Sequence, residues 1–198
     1  MRGRWLLILL APVAVSAQVS LLSPEKLIVG GNVGVFRISF DDFSRLYEHR
    51  SGLSYGGQVL FKVFSPYYFK GKLTSFEKDA APQLQTAGPS GSWHQRGVNL
   101  GVRYVSYRER RLISYLGFGF VFIKIKEKGT TSVFGGVPKN RSATGLYLDG
   151  GLEYRFISRA SLFLEIELSS AGLKGKSGFQ GNSVGGMYLG VGMNVFVL

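Results

Sequence analysis

From Val184 to Leu198 the chain alternates without a break. Met187, Leu189, Val191, Met193, Val195 and Val197 make one apolar row, and Gly186, Tyr188, Gly190, Gly192, Asn194 and Phe196 make a small, polar or aromatic one. A period of two held for about a dozen residues is a strand with two unlike faces. It exceeds an average soluble strand of about five or six residues and suits a tilted membrane-spanning one. An apolar strand at the chain's end must pair its open edge, and the first strand of a closed sheet can serve.

Upstream, the same alternation recurs. Leu27 to Phe40 predicts a first strand, with Phe36, Ile38 and Phe40 on one face and Arg37 and Ser39 on the other. Asp41 to Tyr55 reads as a loop with room for one helical turn. Strand two, Gly56 to Phe64, sets Val59, Phe61 and Val63 against Gln58 and Lys62, and Ser65-Pro66 makes a tight turn. Strand three, Tyr67 to Lys78, sets Tyr67, Phe69 and Leu73 against Tyr68, Lys70, Lys72 and Thr74, before a long loop from Asp79 to Arg96. Strand four, Gly97 to Tyr107, sets Val98, Leu100, Val102 and Tyr104 against Asn99, Gly101 and Arg103, and Arg108 to Arg111 form a charged tip.

Strand five, Leu112 to Lys126, sets Leu116, Phe118, Phe120 and Phe122 against Tyr115, Gly117 and Gly119; a loop from Glu127 to Ser142 follows. Strand six, Ala143 to Phe156, sets Leu146, Leu148, Leu152, Tyr154 and Phe156 against Tyr147, Asp149, Glu153 and Arg155. A turn at Ile157 to Arg159 leads to strand seven, Ala160 to Ser169, with Leu162, Leu164, Ile166 and Leu168 opposite Ser161, Phe163, Glu165 and Glu167. Ala171 to Asn182 is the last loop.

Connections thus alternate long and short along eight strands. The glycines decide which row is inside: Gly101, Gly117, Gly119, Gly151, Gly190 and Gly192 all fall in the mixed row, where a narrow, curved interior needs little volume. The bulky apolar rows then face lipid. A soluble barrel would have the rows reversed, with an apolar calyx. The expected fold is all-β, an eight-stranded antiparallel up-and-down transmembrane β-barrel over 27–198, with both termini on the periplasmic side.

The N-terminus fits export. Arg2 and Arg4 precede an apolar run from Trp5 to Val15, and Val15-Ser16-Ala17 offers small residues for cleavage. Residues 1–17 are expected to be a signal peptide and 18–26 a periplasmic lead-in. No later segment has about eighteen consecutive apolar residues, so strands must do any embedding. Cysteine is absent, which excludes disulfides and thiolate sites. The formal charge of +12 raises nucleic acid as a partner. The cations are scattered among apolar residues and form no block, which fits anionic headgroups better.

These features resemble small outer-membrane barrels of the OmpA/OmpX type and, more widely, the outer membrane protein beta-barrel domain families. The resemblance covers the mature chain and is one of pattern. It departs at the last residue: such barrels usually end in an aromatic that the assembly machinery recognises, whereas this chain ends in Leu198 with Phe196 two positions earlier. The resemblance implies outer-membrane localisation in a Gram-negative cell envelope. It also implies outer-membrane lipids, lipopolysaccharide among them, and the assembly machinery as partners, with a monomer expected.

Inside such a barrel the mixed rows bring Arg37, Lys62, Lys70, Lys72 and Arg103 from strands one to four against Asp149, Glu153, Glu165 and Glu167 from strands six and seven, with Arg155 beside them. An eight-stranded barrel is just wide enough for side chains to fill, so ion pairs are expected to plug it, and a charge-lined pore is the alternative. Outside, Lys128, Lys139, Arg141, Lys174 and Lys176 give the long loops a cationic surface for phosphates or other anions. Tyr67, Tyr68, Phe69, Tyr104, Tyr107, Tyr154 and Phe156 crowd the short turns as an interfacial girdle. Enzymatic signals are thin. His49-Arg50-Ser51 has the His-x-Ser order of outer-membrane lipid A deacylases, with Glu48 adjacent, but that family places the pair late in the chain on a lipid-facing strand. A solvated loop histidine is the expectation. His94, with Trp93 and Ser92, is expected at the headgroup boundary. No catalysis, cofactor, metal or nucleic acid is expected; a structural, adhesive or anion-binding role is.

Overall fold

The computed structural model describes residues 26–47, 49–79, 91–107, 111–128, 140–173 and 183–197. The expected signal peptide, most of the lead-in, Glu48, Lys139, Lys174, Lys176 and Leu198 lie outside them. Eight antiparallel strands close into one barrel in sequence order: β1 (Leu27–Ile38), β2 (Ser51–Phe64), β3 (Tyr67–Asp79), β4 (Ser92–Tyr107), β5 (Leu112–Lys128), β6 (Arg141–Ile157), β7 (Ala160–Leu173) and β8 (Gly186–Phe196). The closing seam pairs β1 with β8 from Ile28↔Phe196 to Ile38↔Gly186, so no strand edge is left open. Connections at one end are short (65–66, 108–111, 158–159) and at the other long (39–50, 80–91, 129–140, 174–185). The two ends are called here the turn end and the loop end. Lys26 and Val197 both sit at the turn end, joined by neighbouring backbone bonds from Lys62 N–H to Lys26 O and from Val197 N–H to Leu27 O.

The rows divide as the strands require. Phe118, Phe120, Leu146, Leu162, Leu164, Val191 and their neighbours are exposed on the outer wall, forming an apolar belt around the barrel. Inside, several small residues make room for large or polar side chains. A Cβ at Gly101 would lie 2.5 Å from the Tyr147 hydroxyl, and one at Gly151 2.5 Å from that of Tyr115. Cβ atoms at Gly117, Gly190 and Gly192 would collide with Asp149, Tyr188 and Phe163.

Several strands run further than the hydrophobic pattern suggests. β2 begins at Ser51, β4 at Ser92 and β6 at Arg141, and β7 continues to Leu173. These extensions lie at the loop end, where apolar residues such as Trp93, Ala171 and Leu173 turn inward and the outer row becomes more polar, so the contrast between the rows is lost. The first connection holds a 3-10 turn (Asp41–Phe43) and a short helix α1 (Ser44–Tyr47). They fold back into the barrel mouth.

Two placements along the walls of β1 and β3 correct the sequence reading. Arg37 is exposed on the outer wall, and its neighbours Phe36 and Ile38 are the inward pair. Val29, Val33 and Val35 form the outer row of β1 and Arg37 caps it at the loop end, where the long side chain can reach headgroups. Tyr68 points inward and is 1% exposed, so it does not belong to the girdle. The outward Phe64, Tyr67 and Tyr104 do meet there, with ring centroids 5.0 and 5.6 Å apart.

Candidate functional site

The lumen is layered. At the turn end Ile28, Leu60, Tyr68, Val105, Ile113, Tyr115, Phe163 and Phe196 form an apolar floor. At the loop end a larger cluster closes the mouth: Phe36, Ile38, Phe76, Ile123 and Ile125 from the walls, with Phe43 and Tyr47 from the folded-back connection. Phe43 stacks on Tyr47 at 4.6 Å and meets Trp93 edge-on at 5.1 Å. Trp93 is wholly buried, and its Nε1–H donates to Gln95 Oε1 at 3.2 Å. It therefore lies inside the mouth and not at the headgroup boundary, a correction to the sequence reading. Burial, with the Glu127 and Asp79 carboxylates adding, pushes the Tyr47 phenol above its ordinary value and holds it protonated.

Between these layers sits the ion-pair layer. Lys70 Nζ bonds Asp149 Oδ2 at 2.9 Å and Glu165 Oε2 at 3.1 Å. Lys72 Nζ bonds Glu165 Oε1 at 2.5 Å and Glu167 Oε2 at 2.8 Å. Arg103 Nη2 bonds Asp149 Oδ2 at 2.7 Å and Glu165 Oε2 at 2.6 Å, and its guanidinium stacks 3.9 Å from the Tyr115 ring. Asn99 donates to Glu167 at 2.8 Å. Cations of β3 and β4 thus face carboxylates of β6 and β7, and Lys70, Lys72 and Arg103 balance Asp149, Glu165 and Glu167. All six charges are buried, which only such mutual compensation makes tolerable. Glu153 is engaged separately by the Ser161 hydroxyl, Arg155 lies 4.2 Å from the Phe196 ring, and Lys62 is half-buried on the same inner row towards the turn end. A cavity of about 30 Å³ beside Glu167 and Asn99 has room for about one water molecule. The arrangement can hold the barrel's shape by tying β3 and β4 to β6 and β7 across the lumen.

The outer rim is the other candidate. Lys128 ends β5 and is exposed. Arg141, expected in a loop, is instead the first residue of β6, on the inner row and half-buried. The outer face supplies other cations that the pattern did not single out. Arg96 pairs with Lys124, His94 with Lys126 and Ser92 with Lys128 across β4 and β5, so Arg96, Lys124, Lys126 and Lys128 make one exposed patch just above the belt. Alternation counted on from Val98 and Phe122 would have found them. His49 is exposed in the first outer connection and Ser51 opens β2. The described residues contain no group of His, Asp or Glu side chains arranged to hold a metal.

An eight-stranded up-and-down barrel with bulky apolar side chains outside and a packed interior whose central charges are paired is the inverse of a water-soluble barrel and the build of the small outer-membrane class. Solved structures of that class share the fold. Neisserial surface protein A aligns with a TM-score of 0.64 at 14% identity, covering 87% of this chain and 97% of that one. OprG from Pseudomonas aeruginosa gives 0.58 at 12% identity over 86% and 95%, and the N-terminal β-barrel domain of Pseudomonas aeruginosa OprF gives 0.55 at 13% over 86% and 97%. No protein-family model and no curated protein matches the sequence.

Proposed function

We propose that this chain is an integral outer-membrane protein that acts at the cell surface through its outer rim and loops, with its lumen serving as a structural plug. The carrying observation is the division of the barrel into an exposed apolar wall and a closed interior whose six central charges cancel. The likeness to solved outer-membrane barrels supports the location. Heat-modifiable gel mobility in the outer-membrane fraction tests it: a fast-running unboiled band is expected, and a soluble protein without a mobility shift would refute it.

The rim's ligand is anionic. Arg96, Lys124, Lys126 and Lys128 lie together where phosphates of the outer leaflet would meet the barrel. Changing the three lysines to glutamate should weaken lipopolysaccharide binding and remove its salt dependence, and unchanged binding would refute the role. The protein should be electrically silent in planar bilayers, since ions would have to cross both apolar layers and the ion-pair layer.

A further inference from the structure

Three side chains that the lumen does not use share one patch of the outer wall at the loop end. Ser92 and His94 stand two residues apart on β4, so both project outward, and Glu77 of β3 is the cross-strand partner of His94. Ser92 Oγ lies 3.2 Å from His94 Nε2, and His94 Nδ1 lies 3.4 Å from Glu77 Oε1. With the proton on Nδ1, the side that faces the carboxylate, Nε2 is left to accept from the serine hydroxyl, and Glu77 acts on the ring as a neighbouring charge without a hydrogen bond to it. That is the relation of nucleophile, base and orienting acid, which geometry and roles define and sequence order does not. The strand bearing two of the three is well anchored, because Trp93 between them is buried in the aromatic cluster of the mouth.

The surroundings specify a substrate. Directly below on the outer wall are Val98, Leu73 and Phe122, exposed members of the apolar belt. Arg96 and Lys124 follow, and His94 stands one residue pair higher. At a strand rise near 3.4 Å and a tilt of about 40°, each pair adds about 5 Å of height. By that count His94 stands about 10 Å and Ser92 about 15 Å above Val98, which sets the reactive group in the headgroup layer above the acyl chains. A mainly apolar furrow of about 660 Å³ runs along the outer wall past Arg96, Lys124, Val98 and Phe122 and can seat such a chain. Lys126 and Lys128, opposite His94 and Ser92 across β5, place positive charge beside the same point. His94 is 34% exposed and Glu77 50%, so water can enter.

We propose that Ser92, His94 and Glu77 form an esterase site that hydrolyses acyl esters of anionic outer-leaflet lipids. It goes beyond the surface-binding role and rests on the same placement of the rim in the headgroup layer. Ser92 Oγ attacks the ester carbonyl while its proton passes to His94 Nε2. The C–O bond to the alcohol breaks, and the alcohol leaves with that proton. Water, deprotonated by the same nitrogen, then attacks the acyl-serine and releases the carboxylic acid and free Ser92. Ester and water become acid and alcohol, with no other reactant.

The test uses the full chain purified in detergent, with heat-modifiable mobility run on every variant to show that the barrel is intact. A fluorophosphonate probe needs no knowledge of the natural ester and should label Ser92, located by peptide mass spectrometry. Hydrolysis is followed with p-nitrophenyl palmitate in mixed micelles, phosphatidylglycerol vesicles and lipopolysaccharide. Ser92→Ala should abolish labelling and lower turnover roughly 1000-fold, and His94→Ala roughly 100-fold or more. Glu77→Gln should lower it while Glu77→Asp restores part. Lys126→Glu with Lys128→Glu should raise KM for the anionic lipids about 10-fold more than for the neutral ester. An intact barrel whose Ser92 is unlabelled, or whose Ser92→Ala form keeps its rate, overturns the proposal. Equal effects of the lysine changes on neutral and anionic esters overturn the choice of anionic lipid. Loss of the mobility shift in the unaltered protein would instead count against the membrane-barrel reading.

Discussion

Glu165 is the hinge of the ion-pair layer, and replacing it with glutamine tests whether that layer is dry. Its two oxygens accept from Lys70, Lys72 and Arg103 within 3.1 Å, and the residue is 0% exposed. Glu165→Gln keeps the shape but leaves three cations facing Asp149 and Glu167 alone. Removing one partner of a buried pair costs about 3–5 kcal/mol, most of it the penalty of an uncompensated charge. With a urea slope near ~2 kcal/mol per molar, the unfolding midpoint should fall by about 2 M. Adding Lys72→Met to Glu165→Gln restores neutrality, with Lys70 and Arg103 against Asp149 and Glu167. The double variant should regain more than half of the loss. Urea titration of the detergent-folded barrel, read by heat-modifiable mobility, measures both. A loss below about 1 kcal/mol, or no recovery in the double variant, would mean that the charges are hydrated and the lumen is wet.

Other expectations follow from single features. Gly117→Val should prevent barrel formation, because its Cβ meets Asp149 and lies 3.3 Å from Val102 O, whereas Gly71→Ala, with only Leu100 Cδ2 at 3.8 Å, should fold normally; the unboiled band reports both. Trp93→Ala should cost about 3–5 kcal/mol through the cavity left among Phe43, Tyr47 and their neighbours, again by urea titration. The Tyr47 phenol is raised above its ordinary 10.0 in the folded mouth. Its contribution is therefore complete below about pH 10 and is lost as pH rises towards the folded value, since the exposed phenol ionises first. Trp93 fluorescence should shift red in that alkaline range, and Tyr47→Phe should reduce the shift; identical titrations would refute it.

The strands that cross the belt were legible because lipid demands bulky apolar residues on one face and a narrow lumen admits only small or polar ones on the other. β8 shows this along its whole length, from Met187 to Val197 outside and Gly186 to Phe196 inside. The contrast fails at the loop end. There the interior turns apolar to close the mouth, so the apolar row of Phe36 and Ile38 is the inner one and Arg37 is the outer residue. Carrying the parity of Gly30, Asn32 and Gly34 forward would have placed them correctly. The same loss of contrast hid the first turns of β4. Ser92, Trp93, His94, Gln95 and Arg96 read as loop, although Trp93, Gln95 and Gly97 continue the inner row and Ser92, His94 and Arg96 the outer one. The serine–histidine–glutamate contact needed the register Glu77↔His94, which no spacing within β4 discloses. By contrast, the opposition of Lys70, Lys72 and Arg103 to Asp149, Glu165 and Glu167 was visible as soon as inner rows were assigned, because closure brings β3 and β4 to face β6 and β7.

The layering of the lumen bears on where activity can reside. An ion-pair layer alone could exchange with water and conduct if it loosened, because its charges would be solvated as they separated. Capped by Phe43, Tyr47 and Trp93 on one side and by Tyr68, Tyr115 and Phe163 on the other, each separated charge would instead meet an apolar wall. The caps thus deepen the well that holds the pairs together, and the pairs in turn supply the polar contacts that tie β3 and β4 to β6 and β7 across the barrel. A wall fixed in this way is a rigid carrier for side chains on its outer face. Ser92, His94 and Glu77 stand on two adjacent hydrogen-bonded strands, with Trp93 locked inside the same turn of β4. Chemistry or recognition at headgroup level needs that rigidity, since a misplacement of about 1 Å costs most of the advantage of a prearranged site. On the reading proposed above, stability is assigned to the lumen and contact with the outside to the rim, and both follow from the one division between inner and outer rows.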